Sequence, residues 1–93
     1  DSQLASTFYQ DVLELADKFT IPSTSWIASG DYHHHLAVNE WGGKNLSKRD
    51  KDMPGLAYYV IEVANKDDLV GIAERANNRG GKVEWSSSNE LIV

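Results

Sequence analysis

Two helical stripes separated by β-favouring runs set the plan of this chain. Leu4, Phe8, Val12 and Leu15 fall at i, i+4, i+8 and i+11, and Leu69, Ile72, Ala73 and Ala76 at i, i+3, i+4 and i+7. Each spacing gathers apolar side chains on one face of an α-helix. A chain of 93 residues makes one small domain or one piece of a larger one, with a modest core that a partner subunit would help. The first stripe would carry a helix on to Phe19. Phe19-Thr20-Ile21 is β-favouring, however, and Pro22 closes it, so a helix capped by Asp1 or Ser2 is predicted to stop near Leu13, with a strand over 16–21.

After a turn at Pro22-Ser23-Thr24-Ser25, a short strand is predicted over Trp26–Ser29, a reversal at Gly30-Asp31, and a long strand over Tyr32–Trp41. Residues 42–54 combine glycines, charged side chains and a proline and read as a linker. Leu56–Val63 is the clearest strand, aromatic and β-branched with Glu62 as its one charge. Asn65 then offers an N-cap and Asn78-Arg79-Gly80-Gly81 a C-terminal stop. Strands over Lys82–Trp85 and Glu90–Val93 are joined by the Ser86–Asn89 turn. The order α-β-β-β, linker, β-α-β-β favours an α+β fold with helices on one face of a mixed sheet.

The net charge of −5 and pI near 5.0 argue against nucleic acid or an anionic membrane surface as partner. No apolar run reaches the roughly 20 residues of a membrane-spanning helix. Cysteine is absent, which excludes disulfides, zinc–thiolate sites and thiol nucleophiles and suits a cytoplasmic setting. The sequence opens at Asp1 without methionine and closes on the apolar run Leu91-Ile92-Val93. The expectation is a chain trimmed at its ends, or one whose open strand edges meet a second copy in a homodimer.

The histidine run holds the most unusual chemistry. In a strand, Tyr32, His34, Leu36 and Val38 share one face and His33, His35, Ala37 and Asn39 the other. Three adjacent imidazoles therefore cannot all reach one metal. His33 with His35 is the pair that could chelate beside a third ligand. The plainer alternative is a polar filler on a wet face, or an edge device that discourages strand addition. Trp26, Trp41 and Trp85 suit packing better than ligand stacking, and Glu62 and Glu84 suit solvent. The glycine pairs at 42–43 and 80–81 do not fit a phosphate-cradling loop.

Three patterns resemble the vicinal oxygen chelate superfamily of glyoxalases, bleomycin-resistance proteins and extradiol dioxygenases. Phe8-Tyr9-Gln10-Asp11-Val12-Leu13-Glu14-Leu15 resembles its F-Y-x-D-V-L-G-L helix end, with Glu14 where glycine is usual. Tyr32-His33-His34-His35-Leu36-Ala37-Val38-Asn39-Glu40-Trp41 is similar to the Y-H-H-H-x-x-x-N-x-W strand of catechol 2,3-dioxygenase-like proteins. Gly55-Leu56, Glu62 and Val63, followed by the 67–81 helix, resemble the opening of the next module.

The resemblance implies two incomplete βαβββ modules, residues 1–50 lacking the first strand and 51–93 lacking the last, together one glyoxalase-like domain with a cupped mixed sheet. It implies a cleft for a small, aromatic molecule and a ring-cleaving dioxygenase or glyoxalase ancestry. By the same resemblance His34 is the acid–base residue, a role imidazole suits with an ordinary pKa near 6.5. Tyr58, Val60 and Leu36 would line the cleft, while Ala57, Tyr59, Ile61 and Val63 would sit under the second helix. The family's remaining metal histidine falls at Tyr58, and its other two ligands fall on the strands this chain lacks. A divalent metal (iron, manganese, zinc or nickel) would thus need ligands from outside the chain. The alternative within the same fold is a metal-free ligand-binding or dimerisation module of the bleomycin-resistance type.

Overall fold

The first helix, α1 (Ser2–Leu13), starts where the sequence places it. The Asp1 carboxylate accepts the N–H groups of Gln3 at 2.9 Å and Leu4 at 3.2 Å, satisfying donors that an uncapped first turn leaves bare. It stops at Glu14, which adopts the left-handed conformation (φ 56°, ψ 29°). That geometry costs a residue with a Cβ about 1 kcal/mol and none at all for glycine, which is why the resembled motif carries glycine there. Arg75 reaches back to this end from the second helix. Its Nε donates to the Val12 carbonyl at 2.9 Å, and its guanidinium lies 3.4 Å from the Glu14 carboxylate.

The computed structural model describes all 93 residues. Strands β1 (Ala16–Ile21), β2 (Thr24–Ala28) and β3 (Leu36–Asn39) form an antiparallel sheet in that order. A tight turn at Pro22-Ser23 pairs Ile21 with Thr24, so β2 begins two residues before the predicted Trp26. A bulge at Lys18 shifts the β1 register between Asp17 and Phe19. The second helix, α2 (Lys66–Asn78), opens with a reciprocal capping box between Asn65 and Asp68. It closes through Gly80 (φ 79°) and the Gly81 N–H, which donates to the Ala76 carbonyl. The hairpin β4 (Glu84–Ser87) and β5 (Glu90–Ile92) makes a second antiparallel sheet. No helix is long and apolar enough to cross a membrane.

The fold is thus mixed α+β, with two helices and two small antiparallel sheets. The expected single mixed sheet is not formed within this chain, because residues 56–63 take no place in either sheet and make no backbone–backbone hydrogen bond. The long strand expected over 32–41 shortens to β3, since Tyr32 to His35 bend and stack ring on ring instead of extending.

Only 10 of the 93 residues are buried, and they fall in two places. Val12, Ile72 and Ala76 form the seam between the helices, with Phe8, Leu13, Val63, Val83 and Leu91 packed around it. Thr24, Ser25, Ile27 and Ala28 of the central strand β2 are buried between its neighbours and α1. The first stripe is only partly honoured. Leu4 is 68% exposed, and Ser2 and Ser6 are buried in its stead. The reason lies in Glu40, just past β3. Its carboxylate accepts the Ser2 N–H at 2.8 Å and the Ser2 hydroxyl at 3.0 Å, drawing that side of the helix down onto the sheet.

Candidate functional site

The sequence-derived candidates occupy two separate parts of the molecule. The first is the 29–35 connection between β2 and β3. The His35 N–H donates to the Ile27 carbonyl at 2.9 Å, extending the β2–β3 ladder by one rung. The Ser29 N–H donates to His35 Nδ1 at 3.3 Å, so this nitrogen accepts and a neutral His35 keeps its proton on Nε2. His33 and His34 share a hydrogen bond between their Nδ1 atoms at 2.5 Å. The Tyr32 ring lies against His33 (centroids 4.3 Å apart) and His35 (5.0 Å).

The alternation expected of this run is kept in burial from His34 to Asn39 but not at Tyr32, which is exposed. His34, Leu36 and Val38 are half-buried, whereas His33, His35, Ala37 and Asn39 are exposed. Across the pair, Leu36 faces the fully buried Ile27 and Val38 faces the fully buried Ser25. His34 therefore stands half-buried at the end of the covered face of the sheet. Glu40, at the far end of β3, is held below the usual carboxylate range, first by the Ser2 N–H and then by the Ser2 hydroxyl.

The second part is the 56–63 segment. It lacks strand partners yet keeps the period of two. Tyr58 is 79% and Val60 77% exposed, and Leu56 stands out with them. Tyr59, Ile61 and Val63 turn toward the helices and, with Ala57, wall an open apolar cavity of about 350 Å³ together with Phe8, Leu13, Ile72 and Leu91. The Tyr9 and Tyr59 hydroxyls are hydrogen-bonded to each other across this space. Burial, and then the Tyr9 hydroxyl, push the Tyr59 phenol well above the usual tyrosine range.

Tyr58 reaches the mouth of that cavity, but His34, Leu36 and Val60 are not among its walls. The structure thus groups His34 with Leu36, and Tyr58 with Val60, and does not gather the four around one cavity. Tyr9 and Tyr59 were not singled out by the sequence. Their partnership spans 50 residues, and the only local signal was that Tyr59 sits on the inward side of the 56–63 alternation.

A divalent metal of the kind the resemblance implies does not fit this donor set. No three His, Asp or Glu side chains converge. The exposed pair His33 and His35 is split, because His35 Nδ1 already accepts from Ser29 and His33 turns to His34. Tyr58 presents a phenol, a poor ligand beside imidazole and carboxylate.

Comparison with known proteins gives one informative likeness. The chain is 30% identical over 91 residues to catechol-2,3-dioxygenase of Bacillus subtilis (strain 168). The match takes in 96% of this chain and 32% of the enzyme, so the chain spans about a third of the length of the curated relative it matches. No family model and no solved structure matches. The likeness supports a relationship to the catechol dioxygenase-like proteins.

Proposed function

We propose that this chain is part of a glyoxalase- or dioxygenase-like domain that binds a small aromatic molecule on the outward face of the 56–63 segment. The observation that carries the reading is the likeness to a catechol dioxygenase along nearly the whole chain. The uncovered row of Leu56, Tyr58 and Val60 supports it, because a flat apolar row with one phenol suits an aromatic ring bearing a hydroxyl. In this reading residues 1–50 and 51–93 are two incomplete βαβββ modules, and a second copy of the chain brings His34 and Leu36 to the ligand. The half-buried His34 imidazole would take a proton from a phenolic hydroxyl and return it. Tyr58 would donate a hydrogen bond to the same ligand, and Val60 and Leu36 would sandwich its ring.

Calorimetric titration of catechol into the purified chain tests this. Saturable binding is expected, weakened severalfold by Tyr58→Ala and by His34→Ala but little by His33→Ala. Absence of saturation at millimolar catechol, or equal effects at the two histidines, would overturn it. The second reading, a metal-free binding or dimerisation module of the bleomycin-resistance type, is favoured by the donor set. Tyr58 stands where a metal histidine is expected, and no three donors converge. Elemental analysis separates the two, since iron, manganese, zinc or nickel bound at one equivalent would rule out the metal-free module.

A further inference from the structure

The apolar cavity on the helix side of residues 57–63 has a composition that selects its occupant. All 12 lining residues are hydrophobic or aromatic, and none has a charged side chain. An ionised ligand would lose its hydration there with nothing to replace it. A space of about 350 Å³ lies at the small end of the range for ligand sites, enough for a single substituted ring. The only polar side-chain atoms on the walls are phenol oxygens, and two of them, on Tyr9 and Tyr59, are already paired. In such a pair one O–H is spent between the two oxygens and the other remains to be given. A tyrosine phenol is protonated at neutral pH, and the environment of Tyr59 shifts it further in that direction, so the pair presents a donor, not a phenolate.

We propose that the cavity walled by Phe8, Leu13, Tyr59, Leu69, Ile72 and Leu91 is a binding site for an uncharged aromatic molecule with one hydrogen-bond acceptor, which takes the free O–H of the Tyr9–Tyr59 pair. The site lies on the opposite side of the 56–63 segment from Val60. The two sites share Tyr58, which reaches the mouth of this cavity, and are told apart by Val60, which lines only the cleft proposed above, and by Leu91, which lines only this cavity.

Acetophenone, ethylbenzene and benzoate share a ring and differ in the group attached, which makes them discriminating probes. Titrated into the methyl-labelled chain and followed by NMR, acetophenone is expected to shift the Leu13, Ile72 and Leu91 methyls saturably. Ethylbenzene should bind more weakly, and benzoate should leave those signals in place. The double variant Tyr9→Phe with Tyr59→Phe keeps the walls and removes both hydroxyls. It should cut acetophenone affinity by about two- to tenfold, the size of one net hydrogen bond, and leave ethylbenzene unchanged. Leu91→Trp, which fills the cavity, should abolish binding, whereas Val60→Ala should leave it intact. Three results would each overturn the assignment: no saturable shift at millimolar acetophenone, benzoate binding as well as acetophenone, or acetophenone affinity untouched in the double variant.

Discussion

The two halves of the chain handle similar β-favouring sequence in opposite ways. In the first, β2 lies between β1 and β3 with α1 packed against it, and four of its five residues are buried. In the second, Leu56–Val63 is richer in aromatic and β-branched residues yet pairs with no strand and leaves Leu56, Tyr58 and Val60 in solvent. The difference shows that strand propensity is a preference for a pleated, half-covered surface rather than a property the segment can express alone. Cover from α1 and two hydrogen-bonding neighbours make β2 a core strand. Cover from the helices on one side only leaves 56–63 with its side chains sorted but its backbone unpaired.

The sharpest way to break this comparison is a pair of truncations. Ile27→Ala, at a fully buried position of β2, should cost about 3 kcal/mol in chemical denaturation. Val60→Ala should cost less than about 0.5 kcal/mol. Similar losses at the two positions would mean that 56–63 is covered after all. Leu69→Ala should fall between, at about 1–2 kcal/mol. Leu69 is half-buried and already borders an open cavity, so its removal enlarges a space more than it creates one. A loss of about 3 kcal/mol or more would place it in a closed core.

Much of this plan was legible in the sequence, for physical reasons that can be named. Asp1 and Asn65 are caps that act within one helical turn, and both helices begin beside them. Phe19-Thr20-Ile21 before Pro22 marked the end of β1, and β1 ends at Ile21. What was hidden depends on distant partners. The burial of Ser2 in place of Leu4 follows from Glu40, 38 residues away. The fate of 56–63 depends on neighbours that no local pattern encodes, and the bend at Tyr32–His35 on ring stacking. The alternation of faces around His34 and around Tyr58 was legible, because period two survives even where pairing does not. The bringing together of Tyr9 and Tyr59 was not.

Smaller effects sharpen the contrast at the joint between the halves. Glu14→Gly relieves a left-handed backbone while giving up an ion pair whose carboxylate is largely in solvent. A net gain of about 0.5–1 kcal/mol is expected, read as a higher denaturation midpoint. A loss would mean that the clasp to Arg75 outweighs the strain. The smallest effect belongs to Glu40. Its carboxyl titrates below the ordinary range in the folded chain. Its contribution is therefore present above the ordinary glutamate value, near 4.3, and is lost as the pH falls through the lower folded value. Glu40→Gln should flatten that part of the acid limb in a pH-dependent denaturation series. An unchanged acid limb would show that Ser2 does not depend on this carboxylate.

Amide hydrogen exchange followed residue by residue tests most directly how the halves differ. The N–H groups of Trp26 and Ile27 and of Leu36 and Val38 should exchange slowly, at rates set by opening of the first sheet, while those from Ala57 to Glu62 exchange near the rate of an unstructured peptide. Equal protection of the two stretches would contradict the account, since it would mean that 56–63 already has a hydrogen-bonded neighbour.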